Sequence, residues 1–228
     1  AFAGATGAAG ADDADIVVTG TRLPVTSAGL AQNVTVIERA EIQASLPSGI
    51  EDVLSRVTGI YVDQAGSAGG FMSMYLRGAE NSHLLILLDG VRLNDPTTTR
   101  GSTYDLSSID VNQIERIEVL RGPASAVYGG EALAGVIHFI TRRPAVNGVA
   151  GSGYAAVGGD DERSHGALLN LGNGSLQAQL NAGHTESGDG NDDARFDLDS
   201  VSASLRLIDE GSLTASIFAG QVERDSEG

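Results

Sequence analysis

The sequence contains no cysteine, no tryptophan and no lysine, so all 14 of its basic residues are arginine. A chain without cysteine forms no disulfide bonds, which suits a bacterial envelope protein and a cytosolic protein equally. No apolar run approaches the roughly 18 residues that a membrane helix needs, so any membrane span would have to consist of β-strands. The net charge of −16 argues against nucleic-acid binding, because phosphate contacts need a basic surface.

The N-terminal part of the chain is small-residue-rich and does not have the pattern of a folded domain. Residues 1–14 are interpreted as a flexible tail, or as the remnant of a signal peptide, because Ala1-Phe2-Ala3 has the A-x-A form of a cleavage site. Residues 15–32 contain a short β-prone run, "IVVT", followed by a linker.

Residues 33–144 have the pattern of a compact α+β domain. A strand is predicted at 33–38 and helices at 39–45 and 48–57, the second with a capping box formed by Ser48 and Glu51 and a stop at Gly59. Further strands are predicted at 60–64, 73–78, 84–90, 114–122 and 135–141, with a short helix from Pro123 to Tyr128. The glycines at 129, 130 and 135 fit a tight turn between that helix and the last strand. A phosphate-binding loop is disfavoured, because no Gly-Lys-Ser/Thr follows.

From residue 145 to residue 228 the sequence alternates between apolar and polar residues. In one segment Leu176, Ala178 and Leu180 face one way, while Gln177 and Gln179 face the other. Strands of about ten residues with this alternation are typical of an outer-membrane barrel, although a soluble sandwich gives the same pattern. A barrel that encloses a domain needs about 22 strands, so we expect an incomplete barrel. The expected fold class is an α+β domain followed by a truncated antiparallel transmembrane β-barrel, with only the first few strands present.

Enzymatic chemistry is not expected from this sequence. Its four histidines are scattered, with no paired nucleophile, metal-ligand spacing or phosphate loop. We therefore predict no catalytic residues.

Three blocks carry a family resemblance: "DIVVTGTR" (15–22), "YLRGAENSHLLILLDGVRLND" (75–95) and "IERIEVLRGPASAVYGGEALAGVIHFIT" (114–141). In order and spacing they resemble the plug domain of TonB-dependent outer-membrane receptors, and within that family they look most like cobalamin receptors. The resemblance runs from Asp15 to about Arg143 and continues more weakly into the alternating strands. It makes residues 33–144 a plug domain and residues 145–228 the first strands of the barrel.

The resemblance implies a function and partners. The function would be TonB-dependent uptake of a scarce nutrient, cobalamin or alternatively a ferric siderophore or haem, across the bacterial outer membrane, with the plug facing the periplasm. The partners would be TonB with its ExbB/ExbD energising complex, the metal-chelate cargo and outer-membrane lipid. A periplasmic plug-type interaction or signalling module is the alternative from another class.

The resemblance also assigns a segment that binds TonB. The family's TonB box, which pairs with TonB as an added strand, corresponds here to Asp15, Ile16, Val17, Val18, Thr19 and Gly20. Their β propensity suits this role. An ordinary first strand of the plug is the alternative.

Two arginines are expected to connect the plug to the barrel. Arg77 and Arg121 each follow an apolar strand and precede a glycine, and in the family such arginines face glutamates of the barrel wall. A planar guanidinium can meet a carboxylate with two hydrogen bonds. Alternatively, both side chains simply extend into solvent from strand ends.

Two loops are expected to contact the cargo at the outer apex of the plug. By alignment with the family they are residues 69–73 and 97–104. Their candidate substrate-binding residues are Gly70, Phe71, Met72, Ser73, Thr98, Arg100, Ser102 and Tyr104. Apolar and aromatic side chains, together with hydrogen-bonding ones, suit a large polar ligand.

An acidic loop lies between two predicted barrel strands, at 186–200. Its Asp189, Asp192 and Asp193 could supply oxygen ligands to calcium, and cobalamin receptors are similar in carrying calcium-binding aspartates near this point. A solvated acidic loop is the alternative. Apart from this calcium ion, no cofactor is expected.

Overall fold

The computed structural model describes residues 16–17, 25–26, 33–45, 47, 49–64, 71–97, 104–142, 147–158, 162–173, 175–188, 195–208 and 214–227. Helices in these ranges are short, and none is long and apolar enough to cross a membrane.

The first part of the chain is a mixed sheet with three short helices, preceded by a small hairpin. Its elements are β1 (Ile16–Val17), β2 (Val25–Thr26), β3 (Asn33–Glu38), α1 (Arg39–Ala44), α2 (Ile50–Ser55), β4 (Ile60–Gln64), β5 (Met72–Leu76), β6 (Leu84–Leu88), β7 (Val91–Arg92), β8 (Ile114–Arg121), α3 (Ser125–Tyr128) and β9 (Gly135–Thr141). The main sheet has the order β3-β8-β9-β6-β7, and β4 pairs separately with β5. Strands β6 and β9 run parallel, while the other pairs are antiparallel.

The plug core lies on both faces of this sheet. Leu84 and Ile86 pack into the larger cluster, with α2, β5 and Phe139, whereas Leu85 and Leu87 pack into a smaller one. All four side chains are at most 3% exposed, as the continuous apolar run predicts for a strand covered on both faces.

Gly135 begins β9 where the chain passes close to its neighbours. A Cβ at this position would overlap the carbonyl oxygen of Leu120 and lie 2.6 Å from Cδ2 of Leu76. Only glycine fits, because the carbonyl belongs to the hydrogen-bonded strand β8 and cannot move away cheaply.

The predicted capping box at the start of the second helix is wrong. Helix α2 begins at Ile50, with Gly49 as its N-cap and no side-chain cap bond; Ser48 lies outside the described residues. The Glu51 carboxylate folds back over Gly49, where a Cβ would meet it at 2.3–2.6 Å. Burial raises the pKa of Glu51. The glycine therefore leaves space for the side chain that covers the helix start.

The second part of the chain is a five-stranded antiparallel meander, here called the wall. Its strands are β10 (Asn147–Val157), β11 (Arg163–Asn173), β12 (Leu176–Gly188), β13 (Arg195–Ile208) and β14 (Thr214–Glu227), and each pairs with the next in the chain. The strands are 11–14 residues long. That length suits a membrane-crossing strand, which needs about 9–11 residues.

The polarity of the wall is reversed relative to a soluble sheet. On β12 the polar Gln177, Gln179 and Asn181 are 2%, 8% and 5% exposed, whereas the intervening Leu180 is 51% exposed. A soluble sandwich would cover the leucine face and solvate the amide face. The burial pattern therefore favours the barrel over the sandwich, with the polar face turned toward the plug.

Candidate functional site

The plug contacts the polar face of the wall through a short 3₁₀ turn, Val111–Gln113. Ser200 Oγ on β13 donates to Asp110 Oδ2 at 2.9 Å, and Ser202 Oγ donates to Gln113 Oε1 at 3.0 Å. Asp110 also accepts the backbone N–H of Asn112 at 2.9 Å, which fixes its carboxylate. These side-chain bonds join two parts of the chain that are separated by about ninety residues.

Two glycines allow the plug to approach the wall closely. A Cβ on Gly183 would lie 2.7 Å from Tyr154 Oη, 3.0 Å from Ser200 Oγ and 3.2 Å from Asp110 Oδ2. A Cβ on Gly166 would meet the Tyr154 ring at 2.7 Å. Tyr154 thus covers a glycine on each of the next two strands, and a side chain at either position would displace the tyrosine.

Arg39 fixes the same turn from the plug side. Its Nη1 donates to the carbonyl oxygens of Val111 at 3.1 Å and Ile114 at 3.0 Å. Burial, with a smaller contribution from the nearby Arg142, lowers the pKa of Arg39. The guanidinium therefore supplies these two carbonyl oxygens with the hydrogen bonds that a neighbouring strand would otherwise provide.

Arg121 and Arg77 both contact the loop after α2, Arg121 through Thr58 O and the backbone N–H of Arg77 through Gly59 O. Burial and the charge of Arg77 lower the pKa of Arg121. Arg121 donates to Thr58 O at 3.2 Å, Asn33 Oδ1 at 3.1 Å and Thr35 Oγ1 at 2.5 Å. Within the described ranges neither arginine has a carboxylate within salt-bridge distance. The structure thus brings the two predicted latch residues together without supplying their counter-charge.

Arg121 also lines a cleft of the plug. The cleft has a volume of about 410 Å³ and lies between α1, α2 and the loop after α2, with Glu41, Arg56 and Thr58 among its lining residues.

Arg77 itself has a positive φ of 53° and donates its backbone N–H to Gly59 O at 2.7 Å.

The first candidate cargo loop is shorter than predicted. Met72 and Ser73 were expected in the loop but belong to β5, where they are only 5% and 7% exposed. Met72 packs into the plug core, and its N–H donates to Asp105 Oδ1 at 3.1 Å. Met72 and Ser73 point to opposite faces of β5 and both faces are covered, so the described end of the loop is Phe71, which is partly buried. Gly70 lies outside the described residues.

The second candidate cargo loop is described only at its two ends. At one end, Thr97 donates its backbone N–H and its hydroxyl to Asp95 Oδ1, at 2.8 and 2.6 Å. At the other, Tyr104 packs on the core, and its hydroxyl accepts from Ser108 Oγ at 2.8 Å. Thr98, Arg100 and Ser102 lie outside the described residues.

The predicted TonB segment is described at two residues. Ile16 and Val17 pair antiparallel with Thr26 and Val25. Asp15, Val18, Thr19 and Gly20 lie outside the described residues. Ile16 and Val17 are thus extended, the conformation that strand addition requires.

The calcium-binding hypothesis falls on Asp189, Asp192 and Asp193, which lie outside the described residues. On the strands that flank them the structure brings together His184, Glu186 and Asp197, whose possible ligand atoms lie within 4.8 Å of one another. Sequence reasoning missed this cluster. The available signal was the two-residue spacing of His184 and Glu186 on one strand face, opposite Asp197 and Asp199 on the next strand.

Comparison with known proteins agrees with this architecture. Residues 26–136 match the TonB-dependent receptor plug domain family. The fold is similar to the pyoverdine outer-membrane receptor FpvA of Pseudomonas aeruginosa PAO1, with a TM-score of 0.80 and 20% identity over 95% of this chain and 32% of that one. It is similar to the siderophore receptor PirA of Acinetobacter baumannii, with a TM-score of 0.70 and 22% identity over 85% of this chain and 32% of that one.

A third similar structure is the copper transporter OprC, with a TM-score of 0.69 and 20% identity over 85% of this chain and 30% of that one. The chain therefore spans about a third of the length of these solved structures. Residues 26–136, which include most of the α+β sheet, therefore carry the plug domain of TonB-dependent receptors.

Proposed function

We propose that this chain forms the plug and the first wall strands of a receptor that takes up a metal chelate across the bacterial outer membrane, driven by TonB. The observation that carries the proposal is the wall's polarity. Leucines such as Leu180 face outward, while the serines and amides of β12 and β13 face a plug that bonds to them. Such a wall suits lipid on one side and a removable, hydrated domain on the other. The reaction class is transport, without a chemical step on the cargo.

The outer apolar rows of the wall cover part of the height of a membrane. On β12 they run from Leu176 to Ala182, a distance of about 20 Å at about 3.4 Å per residue. Outer-membrane barrels have an apolar band about 25 Å tall, with short periplasmic turns and longer extracellular loops. The short connection between β11 and β12 would then face the periplasm, and the loop between β12 and β13 the outside.

TonB would engage the segment at β1 by adding a strand to it. That exchange replaces the two-residue pairing with β2, a small loss against the several backbone bonds of a new strand pair. Force on β1 would reach the plug sheet at β3, an edge strand that among the described strands pairs with β8 alone. The pulling force would act first on Asn33 and Thr35, and both accept hydrogen bonds from Arg121. Pulling would therefore peel β3 and release the Arg121 contacts together.

The cargo proposed first is a ferric siderophore. Solved structures similar to this chain include siderophore receptors and a copper transporter, whereas cobalamin has no support among them. Cobalamin uptake, suggested by the motif resemblance, is kept as an outcome of the test. Phe71, Tyr104 and the loops that they border would form the plug's part of the binding surface.

The test is a binding panel on the receptor purified in detergent. Ferric siderophores of the hydroxamate, catecholate and mixed types, haem, a copper chelate and cyanocobalamin are titrated by intrinsic tyrosine fluorescence or calorimetry. Saturable binding of a ferric siderophore supports the proposal. Saturable binding of cyanocobalamin alone would reassign the cargo, and a folded receptor that binds no member of the panel would contradict a metal-chelate cargo.

A further inference from the structure

We propose that the outer face of the wall carries a site for a divalent transition-metal ion, formed by His184, Glu186 and Asp197. The candidate ligand atoms of these side chains lie within 4.8 Å of one another. One zinc ion holds its ligands at about 2.0–2.2 Å, which places ligand atoms roughly 3.4 Å apart. Small rotamer changes at these partly buried positions would bring the ligand atoms from within 4.8 Å of one another to the separation that a bound zinc ion requires.

The strand register explains why the cluster forms. His184 pairs with Asp199 and Glu186 pairs with Asp197 across the β12 and β13 ladder. All four therefore point to the same face, which is also the face of the exposed Leu180 and Val201. The cluster lies just beyond the apolar rows, at the end of the strands that leads into the loop at 189–194.

Asp199 prepares the histidine for metal binding. Its Oδ1 lies 2.8 Å from His184 Nδ1, so a proton on Nδ1 is held by the carboxylate and the lone pair of Nε2 is left for the metal. A carboxylate that orients a metal-bound histidine in this way is a common second layer of zinc sites. Asp199 is therefore a positioning residue.

The surrounding charges permit an ion at this position. Arg163 lies 3.3 Å from Glu186 in an ion pair whose side chains are 65% and 40% exposed. An exposed pair of this kind contributes little to stability, so Glu186 can leave it for a metal. His165 lies across the ladder, with its ring centroid 5.2 Å from that of His184, and can serve as a further nitrogen ligand.

The donor set selects the class of ion. An imidazole with two carboxylates suits zinc, nickel, cobalt or copper, whereas calcium takes six to eight oxygen ligands. The site is thus chemically separate from a calcium site in the acidic loop. A bound ion would join β12 to β13 at the base of their connecting loop, on the side of the wall turned away from the plug.

Calorimetric titration of the purified receptor with ZnCl₂ tests the inference, and Co²⁺ absorption provides a spectroscopic readout. We expect one equivalent of zinc in the wild type and an affinity about tenfold or more lower in His184→Ala, since even outer-layer changes cost 10–100-fold. His83→Ala is the matched control, because His83 is an exposed histidine of the plug outside the cluster. Asp199→Asn should weaken binding while keeping one equivalent.

Zinc should also raise the Tm of the wild type but not that of His184→Ala. Equal zinc affinity in wild type and His184→Ala, or a folded receptor that binds calcium but no zinc, would overturn the inference. Either result leaves the transport proposal intact, because the cluster faces away from the plug and the cargo loops.

Discussion

Replacing Ser200 with alanine should weaken the attachment of the plug to the wall. Ser200 is 2% exposed and donates to the Asp110 carboxylate at 2.9 Å. A hydrogen bond to a charged group contributes about 1.5–3 kcal/mol, which corresponds to an increase of roughly 10- to 150-fold in the equilibrium constant for releasing the plug from the wall. Asp110 keeps its bond to the Asn112 N–H, so the turn itself should stay folded.

Ser204→Ala provides the matched control for this change. Ser204 lies on the same strand and the same face, and its buried Oγ has no hydrogen-bond partner among the described residues. Its removal should therefore leave the attachment of the plug unchanged or slightly stronger.

Hydrogen–deuterium exchange of the peptide that contains residues 110–113 is the appropriate assay, because its amides exchange when the plug leaves the wall. Exchange should accelerate in Ser200→Ala and not in Ser204→Ala. Equal exchange rates in the two variants would refute the reasoning that this bond holds the plug.

Three further predictions concern the plug and the segment that precedes it. Gly135→Ala should lower the free energy of unfolding by about 2 kcal/mol or more, because the new Cβ overlaps the Leu120 carbonyl oxygen; a urea midpoint equal to the wild type would contradict this. Burial lowers the pKa of His138, whose Nε2 accepts the Gly90 N–H at 2.9 Å. The unfolded chain therefore binds the proton first, and stability should fall as the pH drops below about 6.5 toward the lower folded-state pKa; urea midpoints that do not change between pH 8 and pH 5 would refute it. Val17→Pro should abolish uptake without changing cargo affinity in detergent, because proline cannot donate to an added strand; normal uptake would exclude this segment as the TonB site.

Much of the plug could be predicted from the sequence because its strands are apolar runs separated by strong turn signals. The continuous run at Leu84–Leu88 predicted a strand buried on both faces, and the structure has it so. The start of α2 was mispredicted because glycine and serine are both acceptable N-caps. In the structure Gly49 is the N-cap and the Glu51 carboxylate lies over it, a detail that spacing does not reveal.

The candidate sites were harder to predict, because they depend on which face a strand presents. Met72 and Ser73 were placed in a loop by alignment with the family, yet both pair with β4 as part of β5 and are buried. Likewise, the contact between Asp110 and Ser200 joins residues that are distant in sequence. The contact between His184 and Asp199 depends on the register of two neighbouring strands. Alternation predicted two faces for the wall, but only the structure decided which face is covered.

Uptake of a ⁵⁵Fe-labelled siderophore tests the central claim most directly. Cells that express this receptor as their only uptake route are compared with otherwise identical cells that lack TonB, and the labelled chelate is the one that binds in the panel. The account predicts accumulation in the first cells and surface binding without accumulation in the second. Equal accumulation in both would contradict TonB-driven transport by this receptor.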